Sequence, residues 1–118
     1  MTTSTSPRVA VVILNWNGRH HLETYLPSVI EHSREHAVVV VVDNGSTDDS
    51  ITWLKEHHPS VQVVELDENK GFAGGYNNGL EHVTADVFVL LNSDVRVSPN
   101  WIPPVLDLMQ NEGYVACQ

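Results

Sequence analysis

The sequence predicts an α/β fold, a parallel sheet in the order 3-2-1-4 with helices on both faces, over residues 8–118. Three observations predict it. Four short apolar runs (Arg8 to Leu14, Ala37 to Val42, Val61 to Leu66 and Val87 to Leu91) alternate with segments whose apolar residues fall at helical spacing. The runs are continuous and rich in valine, as strands buried on both faces are. Each then stops at a cluster of Asn, Asp, Gly or Ser, which is turn chemistry. Alternation of strand and helix gives parallel strands joined by right-handed crossovers. In the simplest doubly wound order the switch point lies between strands one and four, and ligands bind there, at the carboxyl ends of the strands.

The first strand stops at Asn15–Gly18. Leu22, Tyr25, Leu26, Val29 and Ile30 then mark a helix with Pro27 inside the pattern; either the proline kinks it or the helix begins near it. Five consecutive valines, 38–42, form the second strand, which ends at Asp43-Asn44-Gly45-Ser46. Ser46 and Asp49 have capping-box spacing ahead of a helix with Ile51, Trp53 and Leu54 that Pro59 ends. Asp48 and Asp49 suit that helix start and need no chemistry. The third strand leads into a loop at 67–71 and a glycine-rich helix. Each internal glycine weakens a helix by about 1 kcal/mol relative to alanine. Yet Phe72, Tyr76, Leu80 and Val83 keep the period, so this backbone is expected to pass close to a neighbour. After the fourth strand, Pro99, Pro103 and Pro104 crowd the start of a last helix carrying Val105, Leu106, Leu108 and Met109, and Tyr114–Gln118 reads as a strand just begun. Residues 1–7 are polar and are expected to be a disordered lead-in.

Composition narrows the function classes. The 118 residues suit one domain. No apolar run approaches the roughly 18 residues that span a bilayer, and the first residues lack the apolar core of a signal peptide. Cys117 is the single cysteine, so a reducing cytoplasm is the expected location, with a peripheral place at the inner membrane face for a full-length protein. A net charge of −9 with six Lys plus Arg argues against a nucleic-acid partner. A polyanionic ligand would need a cation, helix N-termini or backbone N–H groups to offset the repulsion. This favours a divalent metal.

Asp94 follows the fourth run directly, after Asn92 and Ser93. An unpaired carboxylate is too costly inside a buried strand, so Asp94 should emerge at the strand's carboxyl end. Taken alone, Asp43 or Asp94 is more simply a turn or cap residue. Taken together, with Asn15 and Asn17 at a third strand end, they converge on one crevice. Lys70 is equally a cation beside a diphosphate and a plain surface turn. The glycines of 71–79 match neither GxGxxG nor GxxxxGK[ST]. The seven histidines, including His32 and His36 and the pairs His20-His21 and His57-His58, have no acid or cysteine at zinc spacing and read as surface residues. No GxSxG elbow is present.

Four stretches, Val11–Gly18 (VVILNWNG), Val40–Asp49 (VVVDNGSTDD), Asn69–Gly75 (NKGFAGG) through Asn78-Gly79, and Leu90–Val95 (LLNSDV), resemble in order the N-terminal half of family-2 glycosyltransferases, the rhamnosyltransferase-like members above all. The resemblance implies the GT-A nucleotide-diphospho-sugar transferase fold. It implies that Asn15 and Asn17 line the nucleotide pocket and that Asp43 contacts base and ribose. The Gly71–Asn78 stretch, with Gly74 inside it and Lys70 beside it, packs along the nucleotide. Asn92-Ser93-Asp94 takes the place of the family's DxD motif, Asp94 holding Mg²⁺ or Mn²⁺ on the diphosphate. Asn92 departs from the pattern; its carbonyl still accepts, without charge.

The implied reaction moves a sugar from a UDP- or dTDP-sugar donor to a saccharide or lipid-linked acceptor, in cell-surface polysaccharide synthesis. Inverting members use an Asp or Glu base that lies beyond Gln118. The chain is therefore expected to be a donor-binding half that binds donor weakly without turnover. An unpaired edge at Tyr114–Gln118 would favour a homodimer. The alternatives are a catalytically silent nucleotide-binding or interaction module of the same fold, and a nucleotidyltransferase. The missing Gly- and Lys/Arg-rich N-terminal loop counts against the latter.

Overall fold

The computed structural model describes residues 7–112. Strands β1 (Val9–Asn15), β2 (Val38–Asp43), β3 (Gln62–Glu65) and β4 (Val87–Leu91) alternate with helices α1 (Arg19–Ser33), α2 (Ser50–His57), α3 (Gly71–Leu80) and α4 (Ile102–Glu112). The sheet is parallel and ordered β3-β2-β1-β4, as the alternation predicts. Its core has two sides. Val11, Ile13, Val39 and Val41 meet Leu22, Leu26 and Val29 of α1, Trp53 and Leu54 of α2, and Ile102 of α4. Ala10, Val12, Val40 and Val42 meet Tyr76 of α3 on the other side. Successive strand residues thus serve opposite faces, which is why the valine run has no polar position.

Local chemistry sets the helices. α1 starts at Arg19 and runs through Pro27, which lies on its exposed side while Leu22, Leu26 and Val29 are buried. α2 starts at Ser50, so the capping box expected from Ser46 and Asp49 does not form; Ser46 is committed elsewhere. The neighbour that requires glycine in α3 is the sheet. A Cβ on Gly79 would lie 2.5 Å from Val42 Cγ2, and one on Gly75 would lie 2.8 Å from Leu14 Cδ1. Helix and sheet pack closer there than any side chain allows.

The burial expected of the fourth strand also fails. β4 is buried on one face only. Val89 and Leu91 pack on the α1 side. Phe88 and Leu90, in register with Ala10 and Val12 and so on the α3 side, are 39% and 52% exposed. α3 lies over β1 and β2, and among the described residues β4 is the sheet's edge. No helix of the described residues is long and apolar enough to cross a membrane. The strand expected at Tyr114–Gln118, and the dimer contact drawn from it, lie outside the described residues.

Candidate functional site

The carboxyl ends of β2, β1 and β4 stand side by side. Asn15 is in register with Asp43 on one flank, and Ile13 with Leu91 on the other. The turns that follow these strands therefore share one edge of the sheet, at the switch point.

The β1 and β2 turns are stitched together. Asn15 is fully buried. Its Nδ2 donates to Asp43 Oδ1 at 2.9 Å and to Ser46 Oγ at 3.3 Å. Asp43, 1% exposed, uses Oδ2 to accept the Ser46 N–H at 2.9 Å. A buried carboxylate needs such donors to offset desolvation. Ser46 Oγ also accepts the Asn17 N–H at 2.8 Å. Asn17 sits in the left-handed region, φ 50°, which asparagine tolerates, and its Oδ1 accepts from the N–H groups of Thr47 at 2.7 Å and Asp48 at 3.1 Å. Asp48 closes the web. Its Oδ2 accepts the Arg19 N–H at the start of α1, and its Oδ1 accepts the Ser50 N–H at the start of α2. One carboxylate thus satisfies a free N–H of each helix.

A second clamp holds the loop after β3. Asn44 Oδ1 accepts the Lys70 N–H at 2.9 Å, and its Nδ2 donates to Gly71 O at 3.0 Å. Lys70 Nζ lies 3.1 Å from Glu68 and 3.2 Å from Asp67. Hydrogen bonds to those two carboxylates raise its pKa and neutralise its charge locally. Gly71, φ 80°, opens α3 in the left-handed region that favours glycine, with open space where a Cβ would be. Gly74 is half-buried, and its carbonyl accepts from Asn78 Nδ2 at 2.7 Å.

The β4 end is different. Asn92 and Asp94 are exposed and Ser93 is half-buried, in a turn. Among the described residues no ion pair involves Asp94, and no three His, Cys, Asp or Glu side chains gather at a distance to hold a metal. The donor set is one carboxylate and one amide carbonyl, both hard oxygens. That is insufficient to bind a metal alone. It fits Mg²⁺ or Mn²⁺ arriving with a diphosphate, since Mg²⁺ is ordinarily held by one or two carboxylates plus substrate phosphates.

The structure thus brings Asn15, Asn17 and Asp43 into one web and sets Lys70 and Gly71 beside it through Asn44. Ser46 and Asn44 are the residues sequence reasoning missed as parts of the site; their position directly after Asp43 was the available signal. Trp16 and Phe72 are large apolar side chains at the surface. They are 55% and 69% exposed, between the two site asparagines and in the first turn of α3. Shallow pockets elsewhere, lined by Arg8, Arg34, His36 and Val38 or by His32, His36 and Asn100, involve none of the predicted site residues.

Comparison with known proteins decides what this edge belongs to. The model of Glycosyl transferase family 2 matches residues 10–118. The chain belongs to glycosyl transferase family 2. It is 29% identical over 111 residues to an uncharacterized glycosyltransferase of Nostoc sp., covering 92% of this chain and 34% of that protein. Identity is also 29% over 114 residues with the putative teichuronic acid biosynthesis glycosyltransferase TuaG of Bacillus subtilis, covering 94% and 45%. A mannosyltransferase from Pyrobaculum calidifontis, solved in complex with GDP-Man and Mn²⁺, shares 31% identity and a TM-score of 0.67 over 79% of this chain and 29% of its own. S. aureus TarS 1–349 shares the fold, with a TM-score of 0.75 at 19% identity over 90% and 33%. The family-2 chain therefore has the GT-A fold that the sequence resemblance implies, as part of a domain, and spans less than half the length of these relatives.

Proposed function

We propose that this family-2 chain is the donor-binding part of a transferase that moves a sugar from a nucleotide diphosphate sugar to a saccharide or lipid-linked acceptor in cell-surface polysaccharide synthesis. One observation carries the reading. At the switch point, a rigid, internally bonded floor (Asn15, Asp43, Ser46, Asn17) stands beside an exposed Asp94 whose charge no described residue neutralises. In this reading the Asn15–Asp43 web fixes the shape of the nucleotide pocket, and Lys70, Gly71, Gly74 and Asn78 form its wall along α3. The exposed rings of Trp16 and Phe72 offer apolar faces to a base. Asn92, Ser93 and Asp94 face the diphosphate.

Charge supports a divalent ion. Around this edge Lys70 is already paired with Asp67 and Glu68, and Arg19 with Glu23 at 3.5 Å and Asp49 at 3.8 Å, while the Arg96 guanidinium is engaged over the Tyr25 ring. A dianionic leaving group on a chain of net charge −9 needs another cation. Asp94 and the Asn92 carbonyl would hold it, and Mg²⁺ or Mn²⁺ bound there would act as a Lewis acid on the departing diphosphate. An inverting reaction, with an acidic base outside these residues, belongs to the same proposal.

Calorimetric titration with UDP, dTDP and GDP, each with and without Mn²⁺, tests it. Metal-dependent binding is expected, lost in Asp94→Ala and weakened in Asp43→Ala. Metal-independent binding, or no binding by a longer natural chain, overturns it.

A further inference from the structure

We infer that the segment after β4 is a strap fastened to α1, and that Arg96 is the positioning residue that holds Asp94 in place through it. The inference rests on the reading above, in which Asp94 faces the donor diphosphate.

Two separate fastenings mark the strap. Two residues after Asp94, the Arg96 guanidinium lies over the Tyr25 ring, 5.6 Å from its centroid, within the range of a cation–π contact. Five residues further on, Trp101 Nε1–H donates to Ser33 Oγ at 3.1 Å, and Ser33 is fully buried. Between them Val97 packs on the α1-side core. Tyr25 and Ser33 are eight residues apart on α1, about 12 Å along its axis. Five extended residues reach roughly 17 Å, so the segment can run down the helix and be held at both points. Asn100, φ 56°, turns it into α4.

The fastenings matter because Asp94 has no ion pair of its own among the described residues. Its position is inherited from its neighbours. Arg96 is also free to serve this role. Among the described residues no carboxylate lies within ion-pair reach of it, whereas Arg8, Arg19, Lys55 and Lys70 are all paired. A planar guanidinium stacks on an aromatic face as well as attracting it. α1 starts directly after the Asn15–Gly18 turn. It therefore supports both sides of the crevice, and the strap sets the spacing of Asp94 from the nucleotide floor.

Backbone ¹⁵N relaxation on the 118-residue chain tests the strap directly. Order parameters at 94–97 are expected near the rigid value of ~0.85, falling toward ~0.6 in Arg96→Gln and Tyr25→Leu while residues 38–43 stay unchanged. Arg96→Lys keeps the cation and should stay close to the parent. In UDP titrations, Arg96→Gln should reduce the gain in affinity produced by Mn²⁺ roughly two- to fivefold, the worth of an exposed cation–π contact. Metal-free affinity should not change. Unchanged order parameters at 94–97 in Arg96→Gln, or an equal loss of affinity with and without metal, overturns the inference. Should the parent chain show no Mn²⁺-dependent gain at all, the functional reading fails, and the relaxation result alone still decides whether the strap exists.

Discussion

The two sides of the crevice are built on opposite terms. On the β1–β2 side, Asn15, Asn17, Asp43 and Ser46 are largely buried and hydrogen-bonded to one another. On the β4 side, Asn92 and Asp94 are exposed, and Asp94 has no ion pair among the described residues. Both sides carry an aspartate directly after an apolar run, so the sequence makes them look alike. Their energetics differ. A buried carboxylate persists only because donors surround it, so the first side is tied to the stability of the fold. An exposed carboxylate can be replaced with little effect on folding, so the second side is free of that constraint, as the proposed ligand role of Asp94 requires.

Matched substitutions break or sharpen that contrast. Asp43→Ala should have the largest effect. It takes the nearer acceptor from the buried Asn15 amide and the acceptor from the half-buried Ser46 N–H, and should lower stability by about 3 kcal/mol, read from urea denaturation. Asp94→Ala should stay within about 0.5 kcal/mol of the parent. Equal losses from the two would mean that the sides are not distinct.

Gly79→Ala follows, because the new Cβ would press on the Val42 side chain beneath α3. Overpacking of that kind should cost roughly 2 kcal/mol, despite alanine's better helix propensity. A stabilised variant would show that α3 can lift off the sheet, and that this helix is less firmly seated than its packing implies. Ser46→Ala comes next. It removes the acceptor for the Asn17 N–H and one for Asn15 and should cost about 1 kcal/mol, while Ser93→Ala at the corresponding place beyond β4 should leave the denaturation midpoint unchanged.

Much of this was legible in the residues. The strand order followed from alternating apolar runs and helical spacing. The close approach at α3 followed from glycines kept in register with Phe72 and Tyr76. The strand ends that share an edge followed from topology alone. What could not be read is which polar groups would answer one another. Ser46 had a good local partner in Asp49, yet it was drawn to Asn15 and Asn17, some thirty residues away, where a buried amide and a half-buried N–H needed an acceptor. Lys70 was the opposite case. Its neutralisation by Asp67 and Glu68 is local and legible from their spacing in the sequence. The unbroken apolar pattern of β4 predicted two buried faces, but periodicity cannot tell which face has a covering element among these residues.

Asp48 gives the smallest and most specific prediction, on the stitched side. Burial acts to raise its pKa. The hydrogen bonds from the Ser50 hydroxyl and N–H, and from the Arg19 N–H, outweigh burial and hold it below the ordinary 3.8. A carboxyl whose folded pKa is depressed contributes stability that is fully present above the unfolded value and is lost as pH falls through the folded one. The stability gap between the parent and Asp48→Asn should therefore be constant from neutral pH down to about 5, then close as pH falls below about 4. Thermal unfolding of both proteins from pH 7 to pH 2 measures it. The absence of a gap at neutral pH would mean that Asp48 joins α1 to α2 through its shape alone, as an uncharged amide could. Closure of the gap would show that the charge itself holds the two helix starts together, so that the rigid side of the crevice loosens in acid.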